Sequence, residues 1–328
     1  MNPTLIHRSE IDPTRWNEHI CASLQCVIYA QTFYLDIVCD EWHALVWPSK
    51  DEFKIVMPLP IRRKFGFNIV YQPHFCQYLG LFSLNELTAY AFEAFLRTLV
   101  KRFSYISTYH FNPENYFSMT NLPVSFPETK WWTEQTHWLE IGDYAKIFSG
   151  YTNDRKTNVR RGSNVKWNVD QGKDLVALIQ LFEDNHSVSI GGVSATSLER
   201  LRTLFQSLYA RGNAKVLYAS LENEIHAGIM LVEFRQRIIY LFNAADRIGR
   251  KGNARTWMLD QHFQNHENRS ATFDFESPQI ESIASFYKSF GSKPVSYFAI
   301  SANQLPFPLN QMQRLRKRLY LKTRQCLF

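Results

Sequence analysis

The sequence predicts an α+β protein made of two similar units in tandem, each a mixed, mostly antiparallel sheet flanked by helices. Three observations carry that prediction. Residues 165–300 read strand, helix, helix, three antiparallel strands, helix, strand, helix, strand. The first half repeats a degraded form of the same order. A chain of 328 residues, 45% hydrophobic and 20% charged, also has enough apolar material for two cores.

The elements follow in order. Residues 13–29 suit a first helix, and 33–38, 42–47 and 53–60 read as strands. Pro48-Ser-Lys-Asp51 supplies a hairpin turn between the last two. Leu84, Leu87, Ala91, Phe95 and Leu99 then recur at helical spacing before a strand at 105–111.

In the second half a helix begins near Gly172 and carries the apolar run 175–182. Thr196-Ser-Leu-Glu199 has the form of a capping box, with Leu198, Leu201, Leu204, Phe205 and Leu208 on one face behind it. Gly212 suits the left-handed stop. Strands at 215–221, 225–234 and 238–244 come next. A glycine-bearing loop over 247–252, a helix over 253–266 and a short strand at 272–275 follow them. Ser277-Pro278 has the form of a helix start, Gly291 of a stop, and 295–300 of a last strand. A join near 135–150 divides the chain into domains 1–140 and 141–305, with a basic helix over 306–328.

Charge and cysteine content narrow the function classes. The net charge is +7, yet residues 1–135 hold 11 basic and 13 acidic residues while 136–328 hold 26 and 17. The excess sits in two places. One is the tail, with Arg314, Arg316, Lys317, Arg318, Lys322 and Arg324; the other is the cluster Arg155, Lys156, Arg160, Arg161 and Lys166. Such a distribution disfavours a general nucleic-acid binder and suits a local polyanion contact or a solvated helix face. The five cysteines form no C-x-x-C pair, which disfavours a disulfide framework or a cysteine zinc site. Without an apolar run of about 18 residues or a basic-then-apolar start, the expectation is a cytoplasmic protein. His262 and His266 stand four apart on a predicted helix, but no H-E-x-x-H accompanies them, so no metal is expected.

Three segments carry a family resemblance: Asp154-Arg-Lys-Thr-Asn-Val-Arg-Arg161, Phe242-Asn-Ala-Ala-Asp-Arg-Ile-Gly-Arg-Lys-Gly-Asn-Ala254, and Phe273-Asp-Phe-Glu-Ser277 with Ile283-Ala-Ser-Phe-Tyr-Lys-Ser-Phe-Gly291. Together with the element order they resemble the GNAT superfamily of N-acyltransferases, in its doubled, Fem-type branch. The last segment is similar to that branch's F-D-F…F-K-x-x-F-G ending, with Tyr287 in the place of the lysine and Lys288 one position later.

The resemblance implies transfer of an acyl or aminoacyl group from an activated donor to an amine acceptor. Acyl-CoA is the implied co-substrate, and Phe242, Asn243 and Ala244 would hold the acyl carbonyl through backbone N–H groups. Arg247, Gly249, Arg250, Lys251, Gly252 and Asn253 would hold a pyrophosphate at a helix N-terminus. Lys288 would lie near the donor's phosphate end, and Asp274, Glu276 and Glu233 are the acidic residues nearest the strand ends. Asp274 and Glu276 equally suit caps of the following helix. Because the Fem-type peptidyltransferases use aminoacyl-tRNA and cell-wall precursors, that reaction is an alternative, as is an inactive binding module. The Arg155 to Arg161 cluster and the Arg314 to Arg324 tail would then meet tRNA or an anionic membrane surface.

Overall fold

A computed structural model describes residues 1–64, 66–120, 126, 129–185, 193–313 and 315–316. Along the chain run β1 (Thr4–His7), α1 (Pro13–Ala22), α2 (Thr32–Val38), β2 (Glu41–Pro48), β3 (Phe53–Lys64), β4 (Phe67–Val70) and β5 (Phe82–Ser83). Next come α3 (Ala89–Arg102), β6 (Tyr105–His110), α4 (Tyr116–Thr120), β7 (Thr129–Ile141), α5 (Tyr144–Gly150) and α6 (Asn153–Asn164). The remainder is β8 (Asn168–Gly172), α7 (Val176–Asn185), α8 (Ala195–Ala210), β9 (Ala214–Leu221), β10 (Glu224–Phe234), β11 (Arg237–Ala245), α9 (Arg247–Lys251), α10 (Ala254–Asn265), β12 (Ala271–Asp274), α11 (Glu281–Lys288) and β13 (Lys293–Asn303).

The chain forms two compact units, Met1–Glu134 with Ser296–Phe328, and Gln135–Val295. The first boundary therefore falls at 134/135 rather than after 140. The end of the chain returns to the first unit instead of closing the second at 305. In the first unit β1, β2, β3, β4, β6 and residues 296–303 of β13 follow one another across the sheet. In the second the order is β8, β9, β10, β11, β12 and residues 135–141 of β7. The two orders match strand for strand. In each, one short parallel pair interrupts an antiparallel series: β4 with β6, and β11 with β12. The repeat expected from sequence is thus present, and each unit's sixth strand comes from a distant part of the chain.

Three local expectations differ. Residues 32–38 are helical, not extended, because Tyr34, Leu35 and Val38 all turn one face into the core. Burial there overrides the strand-like composition. Ser194, not Thr196, caps α8, accepting from the Ser197 N–H at 3.2 Å. Helix α11 starts at Glu281 rather than at Pro278. Ser277 is held in a turn by its N–H donating to Thr136 Oγ1, and Glu276 takes a left-handed φ of 47°, so helical dihedrals cannot begin there.

The first unit packs Trp16, Ile20, Tyr29, Tyr34 and Trp42 beneath its sheet. The core of the second includes Leu139, Tyr151, Trp167, Ile229, Tyr240, Met258, Phe263, Phe273, Phe275 and Phe290. Among the described residues no helix is long and apolar enough to cross a membrane. Residues 309–313 and 315–316 are helical; Arg314, Lys317, Arg318, Lys322 and Arg324 lie outside the described residues.

Candidate acyl-transfer site

The site is built on β11. Its antiparallel ladder with β10 runs its full length, broken by one bulge: Tyr240 pairs with Leu231 and Phe242 with Met230, leaving Leu241 over. On its other edge β11 pairs in parallel with β12 only at Arg237, Ile238 and Ile239. Strand β12 ends at Asp274, whereas β11 runs on to Ala245. Beyond Ile239 the two strands part, and that edge of β11 has no ladder partner in β12. A strand turns successive N–H groups to alternate edges, and the Asp246 N–H turns to β10, donating to the His226 carbonyl, so of Phe242, Asn243 and Ala244 it is Asn243 whose N–H turns to the parted edge.

Aromatic side chains cover one face of the seam. Phe275 stacks on Tyr287 at 4.6 Å, and Tyr240 lies 6.1 Å from Tyr287. Arg255 Nη1 donates to Asn243 Oδ1. Burial pushes the Tyr240 hydroxyl up to about 12, and pushes Tyr287 higher still, where Tyr240 and Glu276 act in the same direction. Neither phenol ionises near neutral pH.

His137 belongs to this face, since Phe275 N–H donates to the His137 carbonyl across the β7–β12 pair and residues in register share a face. Its imidazole is buried, and neither ring nitrogen has a hydrogen-bond partner among the described residues. Burial, then the Lys288 ammonium, lower its pKa, against a smaller raising effect from Asp274. Nothing in the sequence marked it, because β7 reaches β12 only through the tertiary fold.

The remaining expected residues separate into near and far. Lys288 is exposed at the end of α11, close enough to act on His137. Asp274 is fully buried and accepts from Thr136 Oγ1 at 2.7 Å and from the Glu276 N–H at 2.9 Å. It thereby organises the turn after β12. Glu276 sits beside Tyr287. Glu233 does not join them. It pairs with Ile238 near the β10–β11 hairpin, six residues and roughly 20 Å along the strand from Ala244. There it holds Arg269 at 2.8 Å, with His266 at 3.9 Å.

The loop after β11 forms α9, and its first turn is already capped. Asp246 Oδ1 accepts from the Gly249 N–H at 2.7 Å, while Oδ2 accepts from His226 Nδ1 at 2.7 Å. Both glycines of the loop are also needed for close packing. A Cβ on Gly249 would lie 2.2 Å from the His226 carbonyl oxygen, and one on Gly252 would lie 2.4 Å from Trp167 Cζ2. Arg247, Arg250 and Lys251 are exposed, and Arg250 donates to the Ala245 carbonyl; Asn253 takes a left-handed φ of 55°. A diphosphate such as that of acyl-CoA needs free N–H groups at this helix start. Here the Asp246 carboxylate takes one of them, that of Gly249.

Arg155 is the other departure. It is 5% exposed, with its guanidinium over Phe286 at 4.2 Å and Phe290 at 4.3 Å, and it donates to Ser289 Oγ, Thr256 Oγ1 and the Phe286 carbonyl. Burial lowers its pKa to about 10, which leaves it charged at neutral pH. It therefore stands apart from the exposed Arg160, Arg161 and Lys166 with which its sequence position groups it. His262 and His266 are both buried, with rings 4.1 Å apart, under the far end of the sheet. A cavity of about 690 Å³ lined by Trp138, Lys146, Asn268 and Lys293 lies at the start of β12, and none of the expected site residues lines it.

The chain has a Fem-like double-GNAT fold. It is similar to the crystal structure of FemX, with a TM-score of 0.63 at 11% identity over 94% of this chain and 99% of that one. A tandem GNAT protein from the clavulanic acid biosynthesis pathway gives 0.50 at 10% identity, covering 93% and 99%. A conserved protein of unknown function from Bacteroides thetaiotaomicron VPI-5482 gives 0.56 at 8% identity, covering 89% and 96%. No family model matches the sequence, and no curated protein matches it.

Proposed function

We propose that the protein is an N-acyltransferase that moves an acyl or aminoacyl group from an activated donor to an amine at the seam between β11 and β12. The parting of these strands after Ile239, beside the bulge at Leu241, carries this reading. It turns the Asn243 N–H to an edge where it can hold a carbonyl oxygen as negative charge develops on it. The acceptor amine attacks that carbonyl, the bond to the donor's leaving oxygen or sulfur breaks, and the amine gives up a proton. His137, kept neutral by burial, and Glu276 are the proton acceptors nearest the seam face. Lys288, whose positive charge reaches His137, suits a phosphate of the donor.

Asp246 favours one donor class over another. Acyl-CoA, the donor suggested by sequence, would bring its diphosphate to a helix start already held by a carboxylate. An aminoacyl ester on tRNA does not depend on that cradle, and exposed Arg160, Arg161 and Lys166 on and after α6 are available to a polyanion. Equilibrium binding of acetyl-CoA, charged tRNA and anionic vesicles over a salt series tests the choice. Charged tRNA is expected to bind with an affinity that falls steeply with salt. Saturable acetyl-CoA binding without tRNA binding would reverse the donor assignment, and vesicle binding alone would point to membrane docking. Loss of all three would leave an inactive module as the better reading.

A further inference from the structure

We infer that His7, Glu41 and His43, on the first unit and separate from the acyl-transfer seam, bind a divalent metal ion of the zinc type. Strand geometry brings them together. Glu41 and His43 are two residues apart on β2 and share a face, and His7 on β1 is the direct cross-strand partner of His43. The two imidazole rings lie 4.7 Å apart. Glu41 Oε1 is 2.7 Å from His7 Nε2 and 3.0 Å from His43 Nε2, and the three ligand atoms all fall within 4.8 Å of one another.

Two imidazole nitrogens and a carboxylate oxygen form a donor set that zinc accepts, with the fourth position left to water. Adjacent ligand atoms of a tetrahedral zinc site stand about 3.3 Å apart, as bonds of about 2.0 Å require. The present spacings need only small rotations of Glu41 and His7, whose side chains are 38% and 47% exposed. Without an ion, both Nε2 atoms lie within hydrogen-bond distance of one carboxylate oxygen. A ring that ligates through Nε2 carries its proton on Nδ1, and at His7 that proton would displace the Ser9 N–H, which donates to Nδ1 at 3.3 Å. Ser9 Oγ, 3.0 Å from His7 Nδ1, is the acceptor within reach of it. Such outer contacts orient ligating histidines.

The ion would clip the short strand β1 to β2. Four register pairs join β1 to the sheet, and β1 stands at the end of its unit's strand order. Its metal-dependent ordering would be a property of the first unit, whatever reaction the second performs.

Zinc titration of the full-length, tag-free protein against a chromophoric chelator tests the site. Saturable binding of one ion per chain is expected. His7→Ala and His43→Ala should each weaken it at least about tenfold, and zinc should slow amide hydrogen exchange in β1. Absence of saturable binding, or affinity unchanged in both variants, overturns the assignment. Should His43→Ala fail to fold, the more exposed His7→Ala and Glu41→Gln carry the comparison, and unchanged affinity in both is equally fatal.

Discussion

Asp246 closes the first turn of α9 by accepting the Gly249 N–H at 2.7 Å, and it holds His226 with its other oxygen at the same distance. A negative charge is therefore built into the helix start where sequence placed a pyrophosphate. Asp246→Ala removes this cap and should cost about 1 kcal/mol in urea unfolding. Asp246→Ser keeps a capping oxygen without the charge. If the carboxylate is what keeps a diphosphate out, calorimetry should find tighter acetyl-CoA binding to Asp246→Ser than to the natural protein. Equal weakness in both would mean that something other than charge excludes it.

Gly249 and Gly252 are required by close contacts more than by conformational freedom. Gly249→Ala drives a methyl into the His226 backbone and should destabilise by about 3 kcal/mol or more. Gly252→Ala meets the edge of Trp167, whose Nε1–H donates to the Gly252 carbonyl at 2.9 Å. A loop kept only to cradle phosphate would tolerate both substitutions with little change in unfolding midpoint.

The buried guanidinium of Arg155 is a structural centre for α6, α10 and α11. Arg155→Ala removes two ring contacts and three hydrogen bonds, with an expected cost of about 3 kcal/mol. Arg155→Lys keeps charge without the planar fork, so it should recover only part of that. Substituting the exposed Arg160 and Arg161 should leave stability within about 0.5 kcal/mol and act only on polyanion binding.

Catalytic roles can be separated from structural ones at α11. Lys288 is exposed and has no ion-pair partner among the described residues. Lys288→Ala should therefore lower turnover far more than it lowers stability. Glu276→Gly relaxes a left-handed residue, which favours folding by about 1 kcal/mol, while removing a carboxylate beside Tyr287. More stable yet inactive protein is the expected result. Full activity in Glu276→Gly would dismiss that carboxylate from the chemistry.

Burial lowers the pKa of His19, His110, His137, His262 and His266. The unfolded chain takes up protons near pH 6.5 while these folded rings remain neutral to lower pH, so stability falls as pH drops below about 6.5. Each ring contributes a slope of at most about 1.4 kcal/mol per pH unit. His262→Gln should flatten the acid side of a stability curve measured by denaturant titration. His137→Gln should flatten it too, and should also abolish the acidic limb of the rate profile. That limb is expected below pH 6.5; an unchanged limb would remove His137 as the proton acceptor.

The sequence by itself determined the order of elements, because apolar periodicity is local and survives in both halves. It also marked β11, α9 and α11 as the region of interest through residues that remain adjacent along the chain. Tertiary structure decided what those residues face. Asp246 is only two positions beyond Ala244, yet its role as a cap depends on how α9 folds back over β10. Arg155 reads as one of a basic cluster until Phe286 and Phe290, more than a hundred positions away, close over it. Glu233 leaves the site because antiparallel register sends it to the hairpin end of β10, and His137 enters because β7 pairs with β12. Periodicity records which face of an element is buried, but not which distant strand or ring will lie against it; that pairing exists only once the units have closed.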